Sequence, residues 1–330
     1  MRLHGGIEPG RCVELAQAAD ALGFACVWFA ENPFNRGVLP AAAACAAATR
    51  RVEIGIGVFN PYNRHPTLIA MEIGALDELS RGRARLGIGS GIASATERMG
   101  LRPERPLAAL RDAVTIVRAM LAGEEVTYVG RVFSARAARL EYRVRRPDLP
   151  LLLAARGEQA LALAGKIADG LIISNMCPPE FTAHAVERAG DGARAAGRAP
   201  PAEIVQYLPC VVRADRAEAL GIARQAVGEM LVGFWSLAQR VPAAKAALLR
   251  APRLSEADLA AAVERLRAGA SAGEALDERF VSAFAIAGTA QECLAQARRY
   301  ASAGASELAL TFVGAQPLAD MQSLALAFAS

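Results

Sequence analysis

Short apolar runs recur along the chain, and each is followed by a stretch with helical spacing of apolar positions. The runs are Leu3–Ile7, Phe24–Ala30, Val52–Phe59, Ala84–Ile88, Leu151–Ala155, Gly170–Ser174, Ile204–Val212 and Glu307–Val313. They are near-continuously apolar rather than alternating, which predicts strands of a sheet covered on both faces. The intervening helices are expected at 11–22, 40–49, 66–79, 105–121, 158–168, 179–196, 217–231 and 318–328. Strand starts recur about every 25–30 residues through the first half, the length of one βαβ unit. Eight strands alternating with eight helices predict a closed (β/α)₈ TIM barrel rather than an open doubly wound sheet.

Two departures from the alternation are expected. Val126–Tyr128 and Arg131–Phe133, joined through Val129-Gly130, read as a small hairpin after the fourth strand. The Ala-rich residues 233–279 read as a helical insertion before the eighth strand. No linker of mixed Pro, Gly and Ser composition interrupts the chain, so residues 1–330 are expected to form one domain.

Composition narrows the function classes. With 53% hydrophobic and 21% charged residues, the chain is neither a disordered tail nor a fibre. No apolar run approaches the ~18–20 residues that span a bilayer, and the first residues carry no apolar leader segment. The net charge of +4 comes almost wholly from arginine, since Lys166 and Lys245 are the only lysines. The basic residues form no block, so neither a nucleic-acid nor a membrane partner is expected. A small-molecule substrate is expected instead, and the mild positive field favours an anionic one. Six cysteines lie in apolar or helical stretches without CxxC or Cys–His ligand spacing. They read as reduced, buried thiols of a cytoplasmic protein with no metal site.

In a barrel of this kind the chemistry sits at the C-terminal ends of the strands. After the second strand, Glu31-Asn32-Pro33 places a carboxyl group and an amide at the rim. Glu31 reads either as an acid, base or hydrogen-bond anchor, or as a solvated loop acid. After the third strand, Asn60, Arg64 and His65 lie in a loop shaped by Gly57, Pro61 and Pro66. His65 reads as a ligand contact or as the cap of the helix that Pro66 opens. After the fourth strand, Gly89-Ser90-Gly91 forms a turn whose backbone can approach a ligand closely. After the fifth, Ala154-Ala155-Arg156-Gly157 runs into a helix, so free amides and a guanidinium offer an anion seat. Ser174 and Asn175 after the sixth strand stand ready to support it.

The stretch Gly57-Val58-Phe59-Asn60-Pro61-Tyr62-Asn63-Arg64-His65-Pro66 carries a family likeness. So do Leu76-Asp77-Glu78-Leu79-Ser80 and Leu86-Gly87-Ile88-Gly89-Ser90-Gly91. Together they resemble the bacterial-luciferase-like superfamily. Within it they are most similar to coenzyme F420-dependent oxidoreductases of the methylenetetrahydromethanopterin reductase type. Residues 154–170, 280–289 and 291–304 agree with the same family, so the likeness spans nearly the whole chain. It implies a deazaflavin across the barrel mouth, a non-prolyl cis peptide near Gly57-Val58 behind its ring, and the cofactor phosphate at Ala155, Arg156 and Gly157. The cofactor-binding set implied is Gly57, Val58, Asn60, Arg64, Ser90, Gly91, Ala154, Ala155, Arg156, Gly157, Ser174 and Asn175. The implied reaction is hydride transfer between the ring C5 and a substrate carbon, with a homodimer or larger homo-oligomer as the assembly.

Three positions depart from that family. Glu31-Asn32 stands where members carry Asp-His or Glu-His, Ile92 stands where an acid often follows the glycine turn, and Gly6 is the position nearest to the glutamate that the reductases carry in the first strand, with Glu8 two residues on. Glu31 and Asn32 therefore become the catalytic candidates, and Asn32 donates a hydrogen bond without shuttling protons near neutrality. An imine, an iminium or an activated alkene suits such a site better than an alcohol. An FMN-dependent monooxygenase and a non-catalytic cofactor-binding homologue remain the alternatives. Phe234, Trp235 and Leu237 of the insertion read either as a substrate wall or as core.

Overall fold

The computed structural model describes residues 1–329. The strands are β1 (Arg2–His4), β2 (Cys26–Ala30), β3 (Glu53–Phe59), β4 (Ala84–Ile88), β5 (Val126–Val129), β6 (Ser134–Ala138), β7 (Leu151–Ala154), β8 (Gly170–Ile173), β9 (Glu203–Val212), β10 (Ile286–Gly288) and β11 (Glu307–Phe312). The helices of the first half are α1 (Pro9–Ala21), α2 (Val38–Ala48), α3 (Pro66–Leu79), α4 (Ala93–Glu97), α5 (Pro106–Leu121), α6 (Glu158–Ile167) and α7 (Pro179–Ala195). Those of the second half are α8 (Arg216–Ala238), α9 (Pro242–Leu248), α10 (Glu256–Arg267), α11 (Ala272–Ala275), α12 (Glu278–Phe284), α13 (Ala290–Ser302) and α14 (Pro317–Ala329).

The strands pair in parallel in the order β1-β2-β3-β4-β7-β8-β9, and β9 also pairs with β10 and β11. The result is a curled, TIM-barrel-like sheet wrapped by helices. Its two ends meet where the Arg2 guanidinium on β1 donates to Thr311 Oγ1 on β11 at 3.2 Å. Local chemistry explains the main boundaries. Pro9, Pro66, Pro106 and Pro179 each open a helix, where a missing N–H costs nothing. Gly23, at φ +78°, stands just past the C-cap of α1. Ser255, Ser271 and Thr289 close capping boxes on α10, α11 and α13.

Three sequence expectations shift. The second hairpin strand is Ser134–Ala138, not 131–133. Residues 130–133 instead wrap the Asp112 carboxylate, which accepts the amides of Val132 at 2.7 Å and Phe133 at 3.1 Å and the Tyr128 hydroxyl at 2.9 Å. The insertion does not begin at 233, because α8 continues unbroken to Ala238. Leu231 and Trp235 on its last turns are buried with Leu248, Leu259, Val263, Phe280 and Phe284 in a core belonging to α8–α12. The short β10 adds a strand beyond the expected eight, paired with the far end of β9 at Cys210–Val212.

The barrel interior positions everything above it. At its floor the buried Arg85 meets Glu307 at 2.5 Å, Glu53 at 3.4 Å and Glu203. Burial opposes that charge, but the surrounding carboxylates raise the Arg85 pKa above its usual value. Trp28 lies over the guanidinium, 4.7 Å from ring centre to Cζ, and its Nε1 donates to Glu307 at 2.6 Å. The register sets Trp28 beside Gly55 and Gly55 beside Arg85. A Cβ on Gly55 would lie 2.4 Å from the Trp28 ring, so the missing side chain makes room for the indole. Gly55→Ala is expected to lower stability by about 1–3 kcal/mol through overpacking, read as a fall in the urea midpoint with an unchanged slope. Wild-type stability for this variant would show that the indole is not held against β3.

Candidate active site

The loop after β3 is built around its own side chains. Asn60 is buried; its Oδ1 accepts the Tyr62 amide at 3.1 Å and its Nδ2 donates to Thr96 Oγ1 at 3.1 Å. Asn60 thereby ties the β3 loop to α4, an element absent from the sequence reading. Gly91, at φ +65°, completes the tie, since a Cβ there would lie 2.5 Å from Asn60 Nδ2. His65 Nδ1 accepts the Thr67 amide at 3.3 Å, so this side chain caps α3. Ser90 is half-buried and Gly91 exposed beside them.

Arg64 reaches across the rim. Its Nη2 donates to Glu31 Oε1 at 2.9 Å, and its Nη1 donates to both oxygens of Glu72 at 2.7 and 2.5 Å. The guanidinium stacks over the Phe59 ring at 4.6 Å. Two carboxylates therefore share one cation, and the cluster carries one net negative charge. The second oxygen of Glu31, Oε2, is buried without a hydrogen-bond partner, as is Arg64 Nε. Asn32, next in the chain, is exposed. The sequence singled out Glu31 and Arg64 separately; that they form a pair completed by Glu72 depends on a long-range approach of two loops.

Across the mouth, Ala154 ends β7 and Gly157 is the N-cap of α6, with no side chain covering the helix amides. Arg156 lies between them, donating to Ser174 Oγ and to the Asn175 carbonyl at 2.9 Å. Phe234 of α8 covers its other side, 4.8 Å from Cζ to the ring centre. Ala243 of α9 closes on Gly157, where a Cβ would come within 3.3 Å of it. Trp235 is buried in the core of α8–α12; Phe234 and Leu237 both pack against that core half-buried, and Phe234 also faces Arg156. Beneath the seat, burial raises the pKa of the Cys177 thiol, tempered by the Arg156 charge. Asn175 Oδ1 is buried and unpartnered. An arginine, a row of helix amides and an orphaned amide oxygen form a cradle suited to a phosphate and its neighbouring polar atoms.

Between these two sides the chain contains a cis peptide at Gly57-Val58, within a bulge of β3 between Ile56 and Phe59. Tyr207 on β9 donates its hydroxyl to the Gly57 carbonyl at 3.2 Å from inside the barrel. Burial raises the Tyr207 pKa, which keeps this donor protonated. A Cβ on Gly57 would lie 1.9 Å from that hydroxyl. Val58 is half-buried against Gly87, Gly89 and Ala154. Glycines alternating at 55 and 57 within one strand leave room for bulky neighbours inside the barrel, a signal from which the identities of Trp28 and Tyr207 are not readable. Buried side-chain polar atoms without a partner around this mouth include Arg2 Nε, Glu31 Oε2, Arg64 Nε and Asn175 Oδ1.

Comparison with known proteins bears on the family and the fold. The family profile described as luciferase-like monooxygenase matches residues 1–307. The 5,10-methylenetetrahydromethanopterin reductase of Methanolobus tindarius is 30% identical over 298 residues, covering 89% of this chain and 87% of that protein. An F420-dependent glucose-6-phosphate dehydrogenase of Microbacterium testaceum is 33% identical over 203 residues, 58% of this chain and 60% of that protein. Among solved structures, the coenzyme F420-dependent tetrahydromethanopterin reductase of Methanopyrus kandleri superposes with a TM-score of 0.87 at 24% identity, covering 98% of this chain and 96% of that one. The chain belongs to the luciferase-like monooxygenase family, and like the relatives that it matches it is an oxidoreductase.

Proposed function

We propose that the protein is a coenzyme F420-dependent oxidoreductase acting on an electrophilic carbon of a small organic substrate. The observation that carries this reading is the cradle of Arg156, the α6 amides behind Gly157, Ser174 and the orphaned Asn175 Oδ1. Arg156 and the α6 amides would hold the cofactor phosphate. Val58, Gly57 and Ala154 would back the ring, and Ser90, Gly91 and Ala155 would border it. The relative named as an F420-dependent glucose-6-phosphate dehydrogenase supports this cofactor over FMN. When bound, F420 supplies or accepts a hydride at C5.

The remaining chemistry falls to Glu31. Its Oε1 is oriented by Arg64, and its Oε2 is free to accept a hydrogen bond from the substrate. The net negative Glu31–Arg64–Glu72 cluster favours positive charge at the reacting carbon. That favours an imine or iminium over an alcohol, whose oxidation requires a base for the hydroxyl proton. Asn32 adds a donor at the exposed edge of the same loop.

The outer face of α2 and α3 supports self-association. All eleven residues of α2 are apolar, and Pro40, Ala44 and Ala47 remain exposed. On the neighbouring α3, Leu68, Met71 and Leu79 are exposed as well. Large side chains on one helix beside small ones on the next make a patch complementary to itself under a two-fold axis.

Three outcomes are expected. F420 should bind with quenching of its fluorescence while FMN is not taken up, and Gly157→Val should weaken F420 binding about tenfold or more by closing the cradle. FMN uptake in place of F420 would overturn the cofactor assignment. Reduced F420 should be oxidised with 1-pyrroline as the acceptor, and Glu31→Gln should slow this about 10²-fold or more. An unchanged rate would remove Glu31 from the chemistry. A dimer or larger assembly should be seen by light scattering and should dissociate in the Leu68→Glu, Met71→Glu double variant. A monomeric wild type at micromolar concentration would sink the self-association reading.

A further inference from the structure

Two arginines extend into the barrel interior, and the fold treats them differently. Arg85 at the floor is matched by three carboxylates. Arg2, on the first strand, has no carboxylate within 4 Å among the described residues. Its guanidinium lies 4.8 Å over the Tyr207 ring, its Nη1 donates to Thr311 Oγ1 at 3.2 Å, and its Nε is buried with no partner. Burial lowers the Arg2 pKa, offset in part by Tyr207.

The position is specific. Thr311 is near the C-terminal end of β11, so the pair lies toward the mouth. The Tyr207 ring under Arg2 is the one whose hydroxyl reaches the Gly57 carbonyl behind the proposed ring seat. His4, two residues along β1, has its pKa lowered by burial and by Arg2, which keeps its imidazole neutral and adds no competing cation. A half-buried guanidinium whose Nε is cut off from water, with no carboxylate beside it, is incompletely compensated, and an anion entering the site supplies the missing partner. Its planar fork suits an oxyanion that accepts two hydrogen bonds.

We propose that Arg2, oriented by Tyr207 and Thr311, forms a subsite for an oxyanion on the substrate, a carboxylate or a phosphoryl group. This rests on the F420 reading only in assigning the anion to the substrate rather than to the cofactor, whose phosphate belongs at Arg156. The substrate class is thereby narrowed to anionic molecules with an electrophilic carbon.

The test uses the full-length wild type, Arg2→Gln and Arg2→Lys. Each is titrated with F420 by fluorescence and then, with F420 present, with acetate and with inorganic phosphate by calorimetry. F420 affinity is expected to agree within about twofold in all three, while anion affinity falls about tenfold or more in Arg2→Gln and less in Arg2→Lys. Binding of acetate alone assigns a carboxylate, and binding of phosphate alone assigns a phosphoryl group. Equal anion affinity in wild type and Arg2→Gln, or no anion binding to either, overturns the subsite. Loss of F420 along with the anion in Arg2→Gln overturns it too, by giving Arg2 to the cofactor. Should F420 bind none of the three, the cofactor reading fails, and the anion titrations still decide whether Arg2 holds an oxyanion. Where Arg2→Gln does not fold by circular dichroism, Thr311→Val takes its place, with weaker anion binding expected and unchanged binding overturning the proposal.

Discussion

The filling of the barrel interior governs the rest of this molecule. Trp28 and Tyr207 occupy the cylinder from within, and they fit because β3 carries glycine at 55 and 57, where a Cβ would collide with both rings. Below them the Arg85–Glu307–Glu203–Glu53 cluster closes the floor. With the interior packed, a ligand is restricted to the strand ends, and side chains that rise from the packed layer become the base of the site. Tyr207 serves both purposes, supporting the Gly57 carbonyl through its hydroxyl and carrying Arg2 on its face.

Charge at the mouth is divided. On one side Arg64 is saturated by Glu31 and Glu72, leaving a net negative cluster with a free Glu31 oxygen. On the other, Arg156 is held by neutral groups, the oxygens of Ser174 and Asn175, the Cys177 thiol and the Phe234 ring, so its charge is available to an anion. Two arginines of similar promise in the sequence thus differ in what they can do, and the difference is the presence or absence of a carboxylate partner. The same distinction separates Arg85 from Arg2 inside the barrel. In a medium of low polarity an unmatched guanidinium is the stronger indicator of a ligand.

The insertion is more than an addition to the exterior. Its helices pack around Leu231, Trp235 and Phe284 as a core of their own, and that packing brings Phe234 onto Arg156 and Ala243 onto Gly157. A segment remote in sequence from the fifth strand therefore completes the cradle at its end. Variation among such insertions offers a physical route to altering substrate choice while leaving the barrel intact.

Local patterns in the chain carried much of this structure. Continuous apolar runs marked the parallel strands, prolines and capping residues marked helix starts, and the polar residues after each strand marked the rim, because each signal depends on neighbours a few positions apart. Glu31, Arg64, Arg156, Ser174 and Asn175 were legible as candidates for that reason. Their partners were decided only in three dimensions. Nothing in the sequence around Arg64 indicates that Glu72 and Glu31 will share it, that Asn60 will be a brace held by Thr96, or that Arg2 will be left without a carboxylate. Those outcomes arise when sheet curvature brings β1 against β11 and the β2 loop against the β3 loop. Pairing and desolvation of charge depend on which distant groups come within a few ångströms, and that distance is a property of the folded chain.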